Sequence, residues 1–195
     1  MSSVRRWLAL SWAVLLLCGC GAGALPDAPP PCDQACRDGV ALRGVRETMK
    51  LAYNVLIQGK PVGAQDGSTP CRSSDGSQGG RVRLFGNATS NAIQGSSFVE
   101  LEYEFEECAY SVPPSATAEH NYNLILSGRV KQQGTLAVQP SSTTALLMGS
   151  ESIRISGTVY DPPVDYEAAD CVLAVAQQGS RISGTLCGRD AGFTF

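Results

Sequence analysis

The sequence predicts an α+β domain in which one N-terminal amphipathic helix precedes a strongly curved antiparallel β-sheet of about seven or eight strands. Three observations predict this class. Apolar residues recur every three or four positions over residues 33–57, apolar and polar residues alternate after residue 81, and six cysteines remain once a predicted signal is removed. One helix followed only by strands favours a single disulfide-bonded domain, residues 32–195.

The predicted helix covers residues 33–57. Gly59 and Pro61 follow it, and both are typical of a helix end. One face of the helix is apolar and comprises Leu42, Val45, Met49, Ala52, Tyr53 and Leu56. Such a face predicts packing across a sheet. Residues 60–80 are rich in Gly, Ser, Asp and Pro, so they are predicted to form a loop.

Alternation with a period of two predicts the strands. The clearest strand covers residues 98–106, where four glutamates alternate with Val99, Leu101, Tyr103 and Phe105. Residues 122–139 predict a hairpin that turns near Gln133. Residues 146–160 predict a strand or a strand pair, and residues 171–188 predict the last hairpin.

A glycine recurs in the middle of four predicted strands, at Gly86, Gly128, Gly157 and Gly184. Glycine in a strand weakens pairing and commonly marks a bulge or a tight bend. Glycines at similar heights in successive strands would let the sheet coil. The sequence therefore predicts a meander or barrel-like sheet, closed or half-closed, with the helix across it or plugging its opening.

Six cysteines are disulfide candidates: Cys32, Cys36, Cys71, Cys108, Cys171 and Cys187. An even number in an exported chain predicts three bonds. Cys171 and Cys187 flank the last hairpin almost symmetrically and are predicted to pair. Cys32 and Cys36 lie one helical turn apart and are expected to bond outward, to Cys71 and Cys108 in an order that the sequence leaves open. No second close Cys or His pair follows them, so no metal site is predicted.

The N-terminus has the three parts of a secretory signal. Arg5 and Arg6 are positive, residues 7–17 are apolar, and small residues follow. The apolar run is too short to span a bilayer, which takes about 20 helical residues. Its end, Leu17-Cys18-Gly19-Cys20, resembles the lipobox of bacterial lipoproteins.

The resemblance implies that the signal, residues 1–19, is removed and that Cys20 carries the lipid. Gly21 is not the Asp that retains such proteins at the inner membrane of many Gram-negative bacteria. The resemblance therefore implies an outer-membrane anchor, with the domain facing the periplasm or the cell surface. Residues 20–31 are predicted to form a stiff, proline-rich tether. The alternative is cleavage after Ala24 and secretion as a free protein.

Charge and motif content exclude several functions. The net charge is −3, from 15 basic and 18 acidic residues, and loss of Arg5 and Arg6 with the signal makes it −5. No basic run is present, so no nucleic-acid partner is expected. His120 is the single histidine, and no serine motif accompanies it. The glutamates of residues 98–106 indicate a solvated face, so neither a catalytic residue nor a cofactor is predicted.

The sequence thus predicts a membrane-anchored lipoprotein of the bacterial cell envelope that is not an enzyme. A structural or interaction role with a protein partner in the envelope is the first hypothesis. The alternative is a module that binds lipid or a small hydrophobic ligand in a cavity of the curved sheet. A sheet interior filled by Leu, Ile and Val side chains would count against this alternative.

Overall fold

The computed structural model contains one α-helix, one short 3₁₀ helix and eight strands among the residues that it describes. The predicted signal, Cys20 and the tether up to residue 27 lie outside these residues. The described residues are 28–58, 62–72, 78–91, 93, 95–112, 117–137 and 143–195.

Helix α1 spans Gln34–Leu56, close to the range that the apolar repeat predicts. It begins where the side chain of Asp33 accepts a hydrogen bond from the backbone N–H of Cys36 at 2.9 Å, which caps the first turn. Tyr53 of the predicted apolar face is half-buried, and the other five residues of that face are buried. Packing of this face provides most of the stability of the helix.

The strands form one antiparallel sheet, in which each strand pairs with the next strand along the chain. A 3₁₀ helix, Ala118–His120, lies between the third and fourth strands. The strands are β1 (Gly63–Arg72), β2 (Gln78–Asn91), β3 (Ser96–Val112), β4 (Tyr122–Ala137), β5 (Ala145–Val159), β6 (Val164–Gln178), β7 (Arg181–Leu186) and β8 (Arg189–Thr194).

The sheet is open and not strongly curved, so the predicted coiled, barrel-like sheet is wrong. The mid-strand glycines serve a local purpose instead. Gly86 and Gly157 both have a φ of 136°. A Cβ at Gly86 would lie 2.1 Å from the carbonyl oxygen of Glu100, and one at Gly157 would lie 2.0 Å from that of Asn123. Glycine permits this close approach of two neighbouring backbones, and the approach does not bend the whole sheet.

Three predicted connections or termini are strands in the structure. The predicted loop of residues 60–80 contains β1, whose polar side chains alternate between half-buried and exposed without an apolar repeat. The predicted hairpin of residues 122–139 is the single strand β4, in which Gly134 pairs with Val99 and Leu146. A further strand, β8, follows the hairpin that was expected to be the last.

Three disulfides lie in the described part of the chain. Cys171 and Cys187 are bonded to each other, as their symmetric positions on either side of the β6–β7 hairpin predict. The predicted outward bonds of Cys32 and Cys36 are wrong, because one turn at the helix start brings their own Cα atoms to 5.2 Å, within the range of a disulfide. The pairs are Cys32–Cys36, Cys71–Cys108 and Cys171–Cys187.

Helix α1 crosses one face of the sheet from edge to edge. Asp38 near its start contacts Arg189 of β8, and Leu56 at its end lies against Gly67 of β1. A helix of 23 residues is about 34 Å long, and seven strand spacings of about 4.8 Å cover the same distance. One helix therefore suffices to cover an open sheet. The core lies between α1 and this face, and the opposite face is called the outer face.

Candidate functional site

A cavity of about 560 Å³ lies between the C-terminal half of α1 and the adjoining end of the sheet. We call it the helix–sheet cavity. Helix α1 contributes residues from Arg46 onwards, and strands β2 to β6 contribute most of the other lining residues. Sites for small molecules typically measure about 300–1,000 Å³. The helix–sheet cavity is therefore large enough for a small organic ligand.

The floor of the cavity, which consists of its buried lining residues, carries three polar side chains. Tyr103 is fully buried, and its hydroxyl donates a hydrogen bond to Oε1 of Gln132 at 2.7 Å. Burial raises the pKa of Tyr103, so the hydroxyl stays protonated and available as a donor. Gln132 is only 8% exposed and Gln177 only 5%. Glutamine is mostly an exposed residue type, so two buried glutamines at one site are informative.

Each glutamine keeps one amide atom without a partner among the described residues. Gln132 uses Oε1 to accept from Tyr103, and its Nε2 makes no hydrogen bond there. Gln177 donates through Nε2 to the carbonyl oxygen of Gly179 at 2.9 Å, and its Oε1 accepts none there. Neither atom is fully sealed from solvent. The floor therefore offers one amide donor and one amide acceptor to a molecule in the cavity.

The remainder of the floor is apolar. Met49 of α1 lies across the cavity from Leu146 and Met148 of β5, and all three are buried. Ala88 of β2 adds a small side chain to the same floor. Methionine is flexible and polarisable, so a floor with two methionines can adapt to ligands of different shapes.

The rim carries two positive charges, both from α1. Lys50 has an exposed side chain, and its Nζ lies 3.9 Å from a carboxylate oxygen of Glu47. Arg46 is paired with the same glutamate, and its Cζ lies 4.2 Å from the ring centroid of Phe195. Neither Asp nor Glu occurs among the described residues that line the cavity. One glutamate shared between two cations leaves the rim with a net positive charge.

The opposite end of the interface between α1 and the sheet is closed around Asp38. This carboxylate is fully buried, and it accepts hydrogen bonds from Nε and Nη2 of Arg189 at 2.7 and 2.9 Å. The hydroxyl of Tyr166 donates to it at 2.8 Å, and Nε2 of Gln34 donates at 3.0 Å. We call these four residues the Asp38 cluster. Together the other three saturate the carboxylate of Asp38 with hydrogen bonds.

The charged groups of the Asp38 cluster have shifted pKa values. Burial raises the pKa of Asp38, but the hydrogen bonds from Arg189, Tyr166 and Gln34 outweigh it, and the net pKa lies below the ordinary value of 3.8. Burial and the hydrogen bond to Asp38 together raise the pKa of Tyr166. The carboxylate is therefore held in its charged form.

The disulfide, lipidation and histidine candidates of the sequence do not lie at the described part of the cavity lining. Cys20 is outside the described residues. None of the six bonded cysteines lines the helix–sheet cavity. Nε2 of His120 lies 2.8 Å from Nη1 of Arg43 on α1, at hydrogen-bonding distance. Sequence analysis missed Gln132 and Gln177.

The glutamates of β3 lie on the outer face, as their alternation with buried residues predicts. Three of them accept hydrogen bonds from side chains of neighbouring strands. Glu104 accepts from Nη2 of Arg129 at 2.6 Å, Glu106 accepts from Nε of Arg81 at 2.8 Å, and Glu100 accepts from a glutamine amide of β4 at 2.9 Å. Exposed pairs of this kind contribute little stability. Their carboxylates are nonetheless already engaged.

Within the described ranges, no three His, Cys, Asp or Glu side chains are grouped so that they could hold a metal ion. In the same part of the chain, no helix combines the length and the apolar character needed to cross a membrane. No protein-family model, no curated protein and no solved structure shows significant similarity to the chain.

Proposed function

We propose that the chain is an exported, membrane-anchored binding protein without enzymatic activity, and that its ligand site is the helix–sheet cavity. One observation carries this proposal. Gln132 and Gln177 are almost completely buried, yet each presents an amide atom without a partner among the described residues, beside a space of about 560 Å³. A ligand that covered these atoms without pairing with them would lose about 1–3 kcal/mol for each atom. A ligand with matching groups would avoid that loss.

The ligand site differs from the one that the sequence suggests. The prediction of a glycine-bent sheet that encloses an apolar cavity is wrong, because the sheet is not strongly curved and the middle of the core is filled by fully buried aliphatic side chains. These include Leu84, Leu124, Leu126, Ile153 and Ile155. The end of the core beneath the C-terminal half of α1 retains space. The proposed site therefore belongs to the interface between helix and sheet.

The attachment of the tether suits a binding role. The carbonyl oxygen of Pro30 accepts a hydrogen bond from the hydroxyl of Tyr160, which lies in the turn between β5 and β6. This turn and the Asp38 cluster are at one end of the sheet, and the helix–sheet cavity is at the other. A domain tethered through this end presents its cavity away from the membrane that carries it.

The anchor is tested by metabolic labelling with palmitate. The wild-type chain should incorporate the label, and a Cys20→Ala variant should not, because Cys20 provides the thiol that is lipidated. A Cys18→Ala variant is the matched control and should keep the label. Label retained in Cys20→Ala would refute the anchor and leave a secreted protein.

The binding site is tested by filling the cavity. Ala88→Leu places a larger side chain on its floor. The neutral fluorescent probe N-phenylnaphthylamine should bind the wild-type domain, and the variant should bind it at least about tenfold more weakly, a loss of about 1.4 kcal/mol. Ala145→Leu, on the exposed side of β5, is the control and should bind normally. Equal binding by Ala88→Leu and wild type would contradict the proposal.

A structural or interaction role in the envelope is the second candidate, and the outer face favours it. Leu147 of β5 and Val172 of β6 are 64% and 54% exposed there. A photo-crosslinking amino acid at position 147 of the membrane-bound chain should give one defined adduct with an envelope protein. The same amino acid at position 129, within the paired charges, should give none. Adducts at neither position, or equally at both, would contradict this role.

A further inference from the structure

We infer that the helix–sheet cavity binds an organic anion: a molecule with a negatively charged group at the rim, an apolar body, and a hydrogen-bonding group at its buried end. This inference rests on the proposed function and names the chemistry of its ligand. The charges of the rim, the surroundings of the cavity and the two amides of the floor support it.

The rim provides the charge selection. Lys50 and Arg46 are the charged residues among the described lining of the cavity, and both are cations. Arg46 is already engaged by Glu47 and by the ring of Phe195. Lys50 is the less neutralised of the two, because its Nζ is 3.9 Å from Glu47 and its side chain is 54% exposed. An anionic group at the rim can therefore pair with Lys50 and still remain in contact with water, which avoids burying a charge.

The nearby acids do not cancel this potential. Glu102, Glu104 and Glu106 project from the outer face of β3, on the opposite side of the sheet from α1. Arg129 and Arg81 are paired with them there. The carboxylate of Asp38 is at the far end of α1 and is compensated by Arg189. Lys50 and Arg46, with the Glu47 that they share, are the charged groups that the described contacts place at the rim.

The floor determines the rest of the ligand. Met49, Met148 and Leu146 favour an apolar body. A hydrocarbon that reached the floor would cover Nε2 of Gln132 and Oε1 of Gln177 without a partner, which is unfavourable. A ligand with a carbonyl, hydroxyl or amide at its buried end would pair with one or both. The floor therefore disfavours a simple hydrocarbon chain.

Two probes with the same ring system test the charge preference. Anilinonaphthalene sulfonate and N-phenylnaphthylamine differ in the sulfonate group, and both fluoresce when they leave water. The anionic probe should bind the full chain more tightly than the neutral probe. Raising the salt concentration from about 0.05 M to about 0.5 M should weaken the anionic probe only, because exposed charges are screened.

Lys50→Gln removes the rim charge. It should weaken the anionic probe about fivefold, the size expected of an exposed ion pair, and change the neutral probe less than about twofold. Lys131→Gln is the matched control, because Lys131 is an exposed lysine of β4 on the outer face. This variant should bind both probes as the wild type does. Near-ultraviolet circular dichroism of each variant confirms that the fold is intact.

The outcomes separate the two proposals. If both probes bind equally and Lys50→Gln changes neither, the inference of an anion is overturned while the binding site stands. If neither probe binds, or if Ala88→Leu binds both as tightly as the wild type, the binding site itself is refuted and the inference fails with it. A selective loss of the anionic probe in Lys50→Gln supports both.

Discussion

The two ends of the interface between α1 and the sheet differ in how completely their buried polar groups are hydrogen-bonded. In the Asp38 cluster, one carboxylate accepts four hydrogen bonds, from Arg189, Tyr166 and Gln34. At the helix–sheet cavity, Gln132 and Gln177 are nearly as buried, but each keeps an amide atom that no described residue binds. One end is saturated and the other is left open.

Helix α1 is fixed to the sheet near its start and lines a cavity with its C-terminal half. A saturated ionic cluster fixes the start of α1 against β6 and β8, because breaking it would leave a buried charge. A cavity between packed elements lowers the free energy of unfolding. The contacts of the Asp38 cluster offset that loss. A protein that binds a ligand between a helix and a sheet needs both properties. Substitutions at one end can therefore be compared with substitutions at the other.

The largest effect is expected from Arg189→Ala. It leaves the carboxylate of Asp38 buried without a cation and should lower the free energy of unfolding by about 3 kcal/mol. Urea unfolding at neutral pH measures this. Arg154→Ala is the control, because Arg154 is exposed and has no ion pair among the described residues. Equal losses in the two variants would show that the Asp38 cluster does not hold this end.

The next effect is expected from Asp38→Asn, which should cost about 2 kcal/mol at neutral pH, because hydrogen bonds to a charged group are lost. The folded pKa of Asp38 is lowered, so its contribution is complete above the ordinary value of 3.8 and is lost as the pH falls towards the folded pKa. The difference between wild type and variant should therefore shrink below about pH 4. Unfolding curves from pH 7 to pH 3 measure it, and a constant difference would contradict the lowered pKa.

One substitution made at both ends gives the third comparison. Ala168 of β6 is buried opposite Ile155 in the filled core, and Ala168→Leu should cost about 1.5 kcal/mol through overpacking. Ala88→Leu enters the helix–sheet cavity and should change stability by less than about 0.5 kcal/mol. Thermal or urea unfolding compares them. A loss of the same size in both would mean that the space at Ala88 does not accept a side chain.

The last destabilising effect, of about 1 kcal/mol, is expected from Tyr103→Phe. It removes the donor to Oε1 of Gln132 and should cost about 1 kcal/mol, because that oxygen loses its protein partner. Tyr110→Phe is the matched control on the same strand, since the hydroxyl of Tyr110 has no hydrogen bond among the described residues. Unfolding by urea should separate the two variants. No difference between them would indicate that water replaces Tyr103 at no cost.

The sequence predicts the elements in which apolar side chains recur with a regular period. It does not predict those that lack such a period. The periods of α1 and β3 predict both elements and their buried faces. β1 has no apolar period, because it is an edge strand of polar residues, and it was therefore missed. Gly86 and Gly157 indicate a local peculiarity of the backbone, but a sequence cannot tell a close approach of two strands from a bend of the sheet.

The site was only partly accessible from the sequence. Gln132 occupies a position of the core face, two residues after Val130, and Gln177 comes two residues after Val175. A glutamine where the alternation demands an apolar residue is a usable signal. At Gln132 this signal is obscured, because the sequence also predicts a turn near Gln133. The cavity itself depends on how far α1 lies from the sheet, which no local pattern encodes.

The hydrogen bonds between Asp38 and Arg189 also set an order of events during folding. They join residues 151 positions apart, whereas every strand pairs with its neighbour along the chain. Neighbouring strands can associate early, because their loops are short, but closing the longest loop comes last. The first helix of the domain can therefore be secured only after the final strand has been synthesised. Until then the start of α1 lacks the hydrogen bonds and the ion pair that hold it against β6 and β8.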